Sequence, residues 1–377
     1  MNSLKDKYCI VGVGNTRYGK APGVSALSHN IEAIDRALED AGVRKDEVDA
    51  VLTKAPTSNF QMLWSAKVSQ QLGIVPRVTA TLDQAGASNI GLVGYAMMCI
   101  EAGLCTMAVI SYGDNPATGS RAAYARIQNE ETAYGLFGAP PAYAMIARRH
   151  MYEFGTTDDQ LGAVAVAHRR HASMNPNAQF RDPITLEDHR NSRFLAEPFH
   201  LLDCCPVSDG GAAIIVTSAE RARDLKQTPA LIAGVGQAHP AWDFQYREQW
   251  TTSGARASGA EAFRMAGITP RDVDFVELYD CFTIVPIITL EDYGFCKKGE
   301  GGSFVEGGRI ELGGELPMNT SGGLLSETGM PGMHLIVEAV RQLRGQSGDR
   351  QVPNAQTCVV SGQGGIMTTH ATMVLHK

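Results

Sequence analysis

The chain contains no CxxC pair, and of its eight cysteines only Cys204 and Cys205 are adjacent. Thiols paired at that spacing are the usual mark of a structural zinc site, so no metal is expected to be held within this chain. No apolar run reaches about 18 residues, the length that a membrane-spanning helix needs. The opening MNSLKDKYCIVGVG has no apolar leader core either. A protein with no membrane partner is expected, in the cytoplasm, where cysteines at apolar positions such as Cys9, Cys99 and Cys105 stay reduced and fill core. Long basic runs are missing and the net charge is −7, which argues against nucleic acid as a partner. Charged residues make up only 19% of the chain against 44% hydrophobic, a balance that excludes a disordered polymer and supplies a large core.

Glycine, by contrast, is abundant. The 40 glycines cluster in loops between apolar runs, as in an α/β enzyme with tight strand-to-helix turns. At 377 residues the chain has the length of about two to three domains. Buried strands are expected at 7–14, 48–55, 77–83, 106–114, 230–238, 274–280, 357–365 and 369–377. Helical spacing of Leu27, Ile31, Ile34 and Leu38 predicts a helix over 24–42 that stops at Gly42. Further helices are expected around 61–73, 89–103 and 257–267, and from the NTSGG loop to about Leu343. Strand and helix alternate in the same order in both parts of the chain, which reads as an internal duplication. The first half is assigned to 1–115 with 201–228, and the second to 229–377. Residues 116–200, rich in Arg, His, Asn, Tyr and Met, read as an insertion packed over one face, where long excursions usually shape a binding site.

Four loops converge on one expected site. Val276–Phe282, VELYDCF, is a buried strand ending in a phenol, a carboxylate and a thiol, Tyr279, Asp280 and Cys281. Ligands sit at such carboxyl strand ends in layered α/β proteins. The others are DQAGASN (83–89), NTSGGLLSETGMPG (319–332) and SGQGG (361–365), whose small residues bare main-chain N–H groups. The alternative reading of VELYDCF is a strand-end Tyr with Cys281 as core filling. His334 follows the third loop at a helix start and reads first as a surface or capping histidine, with a proton relay as the alternative. HRRHAS (168–173), within the insertion, reads as a solvated helix face.

LLDCCPVSDGGAAIIV, VELYDCF, NTSGGLLSETGMPG and SGQGG, in that order, resemble landmarks of the thiolase superfamily, close to its sterol-carrier-protein-type branch. The resemblance spans nearly the whole chain. It implies two duplicated α/β halves in a five-layer αβαβα fold with a large insertion, a homodimer, and acyl-CoA substrates. Coenzyme A then enters as part of the substrate, and no cofactor is bound covalently.

The departures from that pattern set the chemistry. The family's nucleophilic Cys at the start of the first-half helix is Gly86 here, within GASN. The His of its GHP motif falls on Gly329 or Met330, and its second Cys on Val360 or Ser361. An acyl-enzyme cannot form in the usual way without that thiolate. Cys281 matches the branch's HDCF motif, but Tyr279 replaces the His, and Cys204 and Cys205 match a structural landmark. The pattern is similar to that of the steroid side-chain aldolases, thiolase-like proteins that cleave β-hydroxyacyl-CoA with tyrosines and pair with a small zinc-ribbon/OB-fold protein. Tyr279 falls on one such tyrosine, while the second, in the LLSE loop, is missing, since the chain has Thr328, Gly329 and Met330. Retro-aldol cleavage of a β-hydroxyacyl-CoA is therefore the leading expectation. The rivals are an acyltransferase with non-standard residues and a silent scaffold subunit. Catalytic roles are expected at Tyr279, Asp280, Cys281 and His334, and substrate or oxyanion contacts at Gly86, Ser88, Gly329, Gly364 and Gly365.

Overall fold

The computed structural model describes residues 4–120 and 133–377; the expected insertion at 116–200 thus lies partly outside the described residues, over 121–132. The first half runs β1 (Tyr8–Asn15), α1 (Ala26–Ala41), β2 (Ala50–Lys54), α2 (Trp64–Leu72), β3 (Val78–Leu82), α3 (Ser88–Glu101) and β4 (Met107–Asp114). Then come α4 (Ala139–Phe154), α5 (Asp158–Ser173), α6 (Leu186–Asn191) and a small ribbon, β5 (Phe194–Ala196) with β6 (Phe199–His200). The chain returns through β7 (Gly210–Ser218) and α7 (Ala219–Ala222) to β8 (Ala230–Ala238), α8 (Ala255–Ala266), β9 (Phe275–Glu277) and α9 (Ile284–Tyr293). It ends with α10 (Gly301–Phe304), α11 (Gly323–Ser326), α12 (Met333–Arg344), β10 (Thr357–Gly364) and β11 (Thr369–His376).

Nine strands join in the order β3-β2-β4-β7-β1-β8-β11-β10-β9. The two halves meet where β1 pairs briefly with β8, through Cys9 with Leu231 and Ile10 with Ala230. Moving outward on each side of that seam the pattern repeats: an antiparallel neighbour, a second antiparallel neighbour, then a parallel strand. The first half adds β3, parallel to β2. In the second half a single parallel bridge, Val276 to Met318, takes that place. The strand order therefore carries the duplication.

Five layers follow from which helices touch which strands. Helix α1 lies on β1, β4 and β7, and α2 on β2 and β3, outside the first half-sheet. Helix α8 lies on β8 and β11, with α9 beside it, outside the second. Between the sheets, α3 touches β2, β4 and β7 on one side and β8, β10 and β11 on the other, and α12 likewise touches both. Helix α3 is apolar on every face, and NIGLVGYAMMCI accordingly lacks the one-sided pattern of α1.

Caps set several boundaries. Ser25 caps α1, and Gly42 ends it in the left-handed region, so the helix expected over 24–42 forms at Ala26–Ala41. Thr157 and Gln160 cap α5 reciprocally. The expected strand at 274–280 is the larger difference, since only Phe275–Glu277 is strand. Beyond it, the Asn319 side chain takes over from a neighbouring strand: its Oδ1 accepts from Leu278 N at 2.6 Å, and its Nδ2 donates to Leu278 O at 2.7 Å. The chain thereby leaves the ladder with its backbone satisfied and is free to turn Tyr279 toward α3. Among the described residues no helix is long and apolar enough to cross a membrane.

Candidate active site

Tyr279 follows the end of β9, and its N–H donates to Ser361 Oγ on β10 at 2.8 Å. Its ring, 8% exposed, lies directly over Gly86 at the mouth of α3. A Cβ on Gly86 would collide with the Gln363 carbonyl and stand 2.5 Å from Tyr279 Cζ. One on Gly332 would stand 3.2 Å from Tyr279 Cδ2. The ring is thus lodged between two glycines, and it fills the room that a side chain at position 86 would need.

The remaining expected residues divide into three groups. Cys281, Gly364 and Gly365 join Tyr279 and Gly86. The Cys281 thiol is buried, and burial holds its pKa well above the ordinary thiol value. Gly364 lets β10 close on the DQAGASN loop, for a Cβ there would stand 2.9 Å from Ala85 Cβ. Asp280 points elsewhere, accepting from His168 Nδ1 and Leu324 N, both at 2.7 Å, and so it orients α5 and the start of α11. Ser88 and Gly329 are committed locally. Ser88 Oγ accepts from Gln84 N at 2.7 Å and donates to Ala85 O at 2.8 Å, which closes its own turn. Gly329 N donates to Ser208 Oγ at 3.0 Å, and a Cβ on Gly329 would run into Pro206. The expectation that Gly329 offers a backbone donor to substrate is corrected by that bond.

Two histidine expectations are also corrected. His334 is neither exposed nor a cap: it is 2% exposed, edge-on to Tyr18, and burial pulls its pKa down to about 4 against the opposing charge of Asp280. HRRHAS is not a solvated face, for His168 and His171 are buried, Arg169 is half-buried with its Nε donating to Ser326 Oγ at 2.9 Å, and Arg170 is exposed. His171 Nδ1 lies 3.1 Å from Met318 O, and its Nε2 accepts from Leu312 N at 3.1 Å, which makes it a neutral bolt between α5 and the second half. Burial lowers its pKa to about 4, consistent with that neutral form. His150 reaches Glu291 at 3.1 Å and His189 reaches Asp203 at 2.9 Å, so the insertion is tied down by buried histidine–carboxylate pairs. Asp203 in turn accepts from Thr283 Oγ1 at 2.7 Å, and Cys205 N donates to Cys281 O at 3.0 Å. The LLDCC landmark therefore braces the YDCF turn from beneath. With Asp158, His189 and Asp203 form the one group among the described residues whose atoms lie close enough together to consider for a metal, but the direct His189–Asp203 hydrogen bond already uses its central atoms.

Tyr143, on α4, was not anticipated as a site residue. Its hydroxyl stands 2.9 Å from both Gln363 Oε1 and Gly365 O, and its ring stacks on Phe282 with centroids 4.5 Å apart. The hydroxyl also lies against the Cys281 thiol, and burial, with Cys281 and Tyr279 nearby, holds its pKa well above the ordinary phenol value. A signal was present: Tyr143, Ile146, Ala147 and His150 share one buried helical face, on which a phenol and an imidazole are out of place as mere filling. His168 gives the same signal on α5, in line with Leu161, Val164 and Ala165.

Electrostatics bear on nucleophiles. Burial pushes the Cys205 thiol up to about 12 and raises Cys204 and Cys281 as well. Among the described residues no cationic side chain lowers the pKa of any of the three. Such thiols hold almost no thiolate at neutral pH.

Two family models match the chain: the thiolase N-terminal domain over residues 9–220, and a thiolase C-terminal domain-like model over residues 236–377. The chain is 38% identical over 380 residues to the 17-hydroxy-3-oxo-4-pregnene-20-carboxyl-CoA lyase of Mycobacterium tuberculosis, covering 96% of this chain and 97% of that one. It is 37% identical over 381 residues to an acetyl-CoA acetyltransferase of Methanothermobacter thermautotrophicus, covering 96% and 98%. Among solved structures, the Ltp2-ChsH2(DUF35) aldolase superposes with a TM-score of 0.91 at 36% identity, covering 100% of this chain and 99% of that chain.

Proposed function

The chain belongs to the thiolase family, and from that premise we propose that it is an acyl-CoA lyase, cleaving a β-hydroxyacyl-CoA by retro-aldol chemistry. The observation that carries the reading is the exchange at Gly86, where a tyrosine ring stands in the space of a nucleophilic side chain. Likeness to a CoA-ester lyase and to a solved aldolase supports it. The reaction needs a base for the β-hydroxyl proton and donors for the thioester oxygen that gathers charge as the Cα–Cβ bond breaks. Tyr279 is the base in this reading. Asp280 and His168 position it by fixing the turn on which it sits. Coenzyme A is part of the substrate, held under the insertion that carries Tyr143.

The likeness to an acetyl-CoA acetyltransferase favours a second reading, acyl transfer. Acyl transfer through the enzyme would leave an acyl group on a thiol. Incubation with acetyl-CoA and intact-mass measurement is expected to show no stable adduct, because Gly86 has no thiol and Cys204, Cys205 and Cys281 are held protonated. A stoichiometric adduct on any of those three would replace the lyase reading with the acyltransferase one.

Assembly belongs to the same proposal. Among the described residues strand β3 is a sheet edge that leads into the DQAGASN loop, and Met62, Leu63, Met98 and Leu104 are all more than half exposed. A bare edge with apolar flanks suits pairing with a second copy, so a homodimer is the proposed unit. A small zinc-ribbon/OB-fold protein is the proposed further partner, in line with the DUF35 component of the superposed aldolase. A cytoplasmic location completes the reading. Sedimentation at micromolar concentration is expected to give about twice the 40.4 kDa chain mass, or a larger multiple with partner bound; a clean monomer would remove the dimer from the account.

A further inference from the structure

We propose that Tyr143 is a second catalytic residue of this site, whose hydroxyl donates to the thioester oxygen of the substrate while Tyr279 handles the proton. The inference rests on the lyase reading above. Its ground is geometric. Helix α4 brings the Tyr143 hydroxyl to Gln363 and Gly365, at the end of the strand whose Gln363 carbonyl closes on Gly86. Tyr279 and Cys281, from one segment of the chain, and Tyr143, from another, thereby face one point.

Chemistry assigns the two phenols different tasks. Tyr143 is buried, which keeps its proton on oxygen at neutral pH and lets it act as a neutral donor. A neutral donor in a dry site is what a developing enolate oxygen requires. In the step itself Tyr279 takes the β-hydroxyl proton as base, and the Cα–Cβ electron pair becomes the thioester enolate. Tyr143 donates a hydrogen bond to that oxygen, and Tyr279 returns the proton to Cα. One β-hydroxyacyl-CoA gives one carbonyl compound and one acyl-CoA, with no oxidant, reductant or net proton. Gln363, which meets the Tyr143 hydroxyl through its own side chain, holds the donor in place before substrate arrives.

The reverse half of this step offers a test that does not need the whole reaction. Acyl-CoA product incubated in D2O should exchange its Cα hydrogens through the same enolate. Tyr143→Phe keeps the ring that stacks on Phe282, and it is expected to slow exchange and cleavage together by about 10²–10³-fold, with melting temperature and KM for the CoA ester little changed. A second arm places 3-fluorotyrosine at position 143. This keeps ring and donor, so exchange is expected to stay within a few-fold of the parent where the Phe variant loses it. Exchange within a few-fold of the parent in the folded Phe variant, or exchange lost equally in the folded fluorinated one, would reduce Tyr143 to a packing residue and leave the lyase reading intact. A parent protein, with its partner present, that neither exchanges nor cleaves overturns the lyase reading itself, and this assignment with it.

Discussion

Tyr279→Phe is expected to slow C–C cleavage by about 10²–10⁴-fold, the usual range for a general acid–base group. The change removes one hydroxyl and leaves the ring between Gly86 and Gly332, so the packing that lodges it persists. Binding of the CoA ester should change little, because the phenol acts mainly in the transition state. If Tyr279 only braced the strand end, the pattern would invert. Stability would fall by roughly 1 kcal/mol for a lost hydrogen bond, and turnover would hardly move. Melting temperature and single-turnover cleavage on one preparation separate the two. Turnover within a few-fold of the parent would move the base elsewhere, to a neighbour such as His168 or to a partner chain.

Gly86→Ala is expected to damage the enzyme in a different way. The new methyl would press on the Gln363 carbonyl and on Tyr279 Cζ, and backbone on one side leaves the ring as the group that yields. Overpacking of this kind costs about 1–3 kcal/mol, and a shift of the catalytic oxygen by about 1 Å costs on the order of 10²-fold in rate. Both melting temperature and turnover should therefore fall. Gly94→Ala on the same helix is the control: its Cβ would meet nothing nearer than Gln237 Nε2 at 3.7 Å, so both quantities should hold or the helix gain slightly. Gly86→Cys should not make a thiolase, since the thiol would be pinned under the tyrosine ring. Parent-like activity in Gly86→Ala would mean that the ring is not wedged where the chemistry needs it.

How much of this was readable beforehand depends on the distance over which each signal acts. Strands such as ALIAGVGQA form where alternation and glycine put them, at Ala230–Ala238, because a buried strand is written in a few adjacent residues. The placement of Gly86 beside Tyr279 was legible through the convergence of four glycine loops. What stayed hidden are polar pairs made across long stretches of chain. His168 and Asp280 are 112 residues apart, and charge-rich HRRHAS looks wet until α5 is docked with its two histidines inward. Asn319 is hidden for a related reason: an amide side chain that imitates a strand leaves no periodic trace. Tyr143 and His334 were open to misreading because burial, not local pattern, decides what a phenol or an imidazole does.

The measurement closest to the central claim is a single-turnover incubation of the protein, with any co-purifying partner retained, with a β-hydroxyacyl-CoA, followed by mass analysis of all CoA species and of the carbonyl product. Retro-aldol cleavage predicts a shortened acyl-CoA and a ketone or aldehyde in equal amounts, with no requirement for free coenzyme A. A β-hydroxyacyl-CoA left whole, beside acyl groups that move only when free coenzyme A is supplied, would contradict the account and return the chain to acyl transfer.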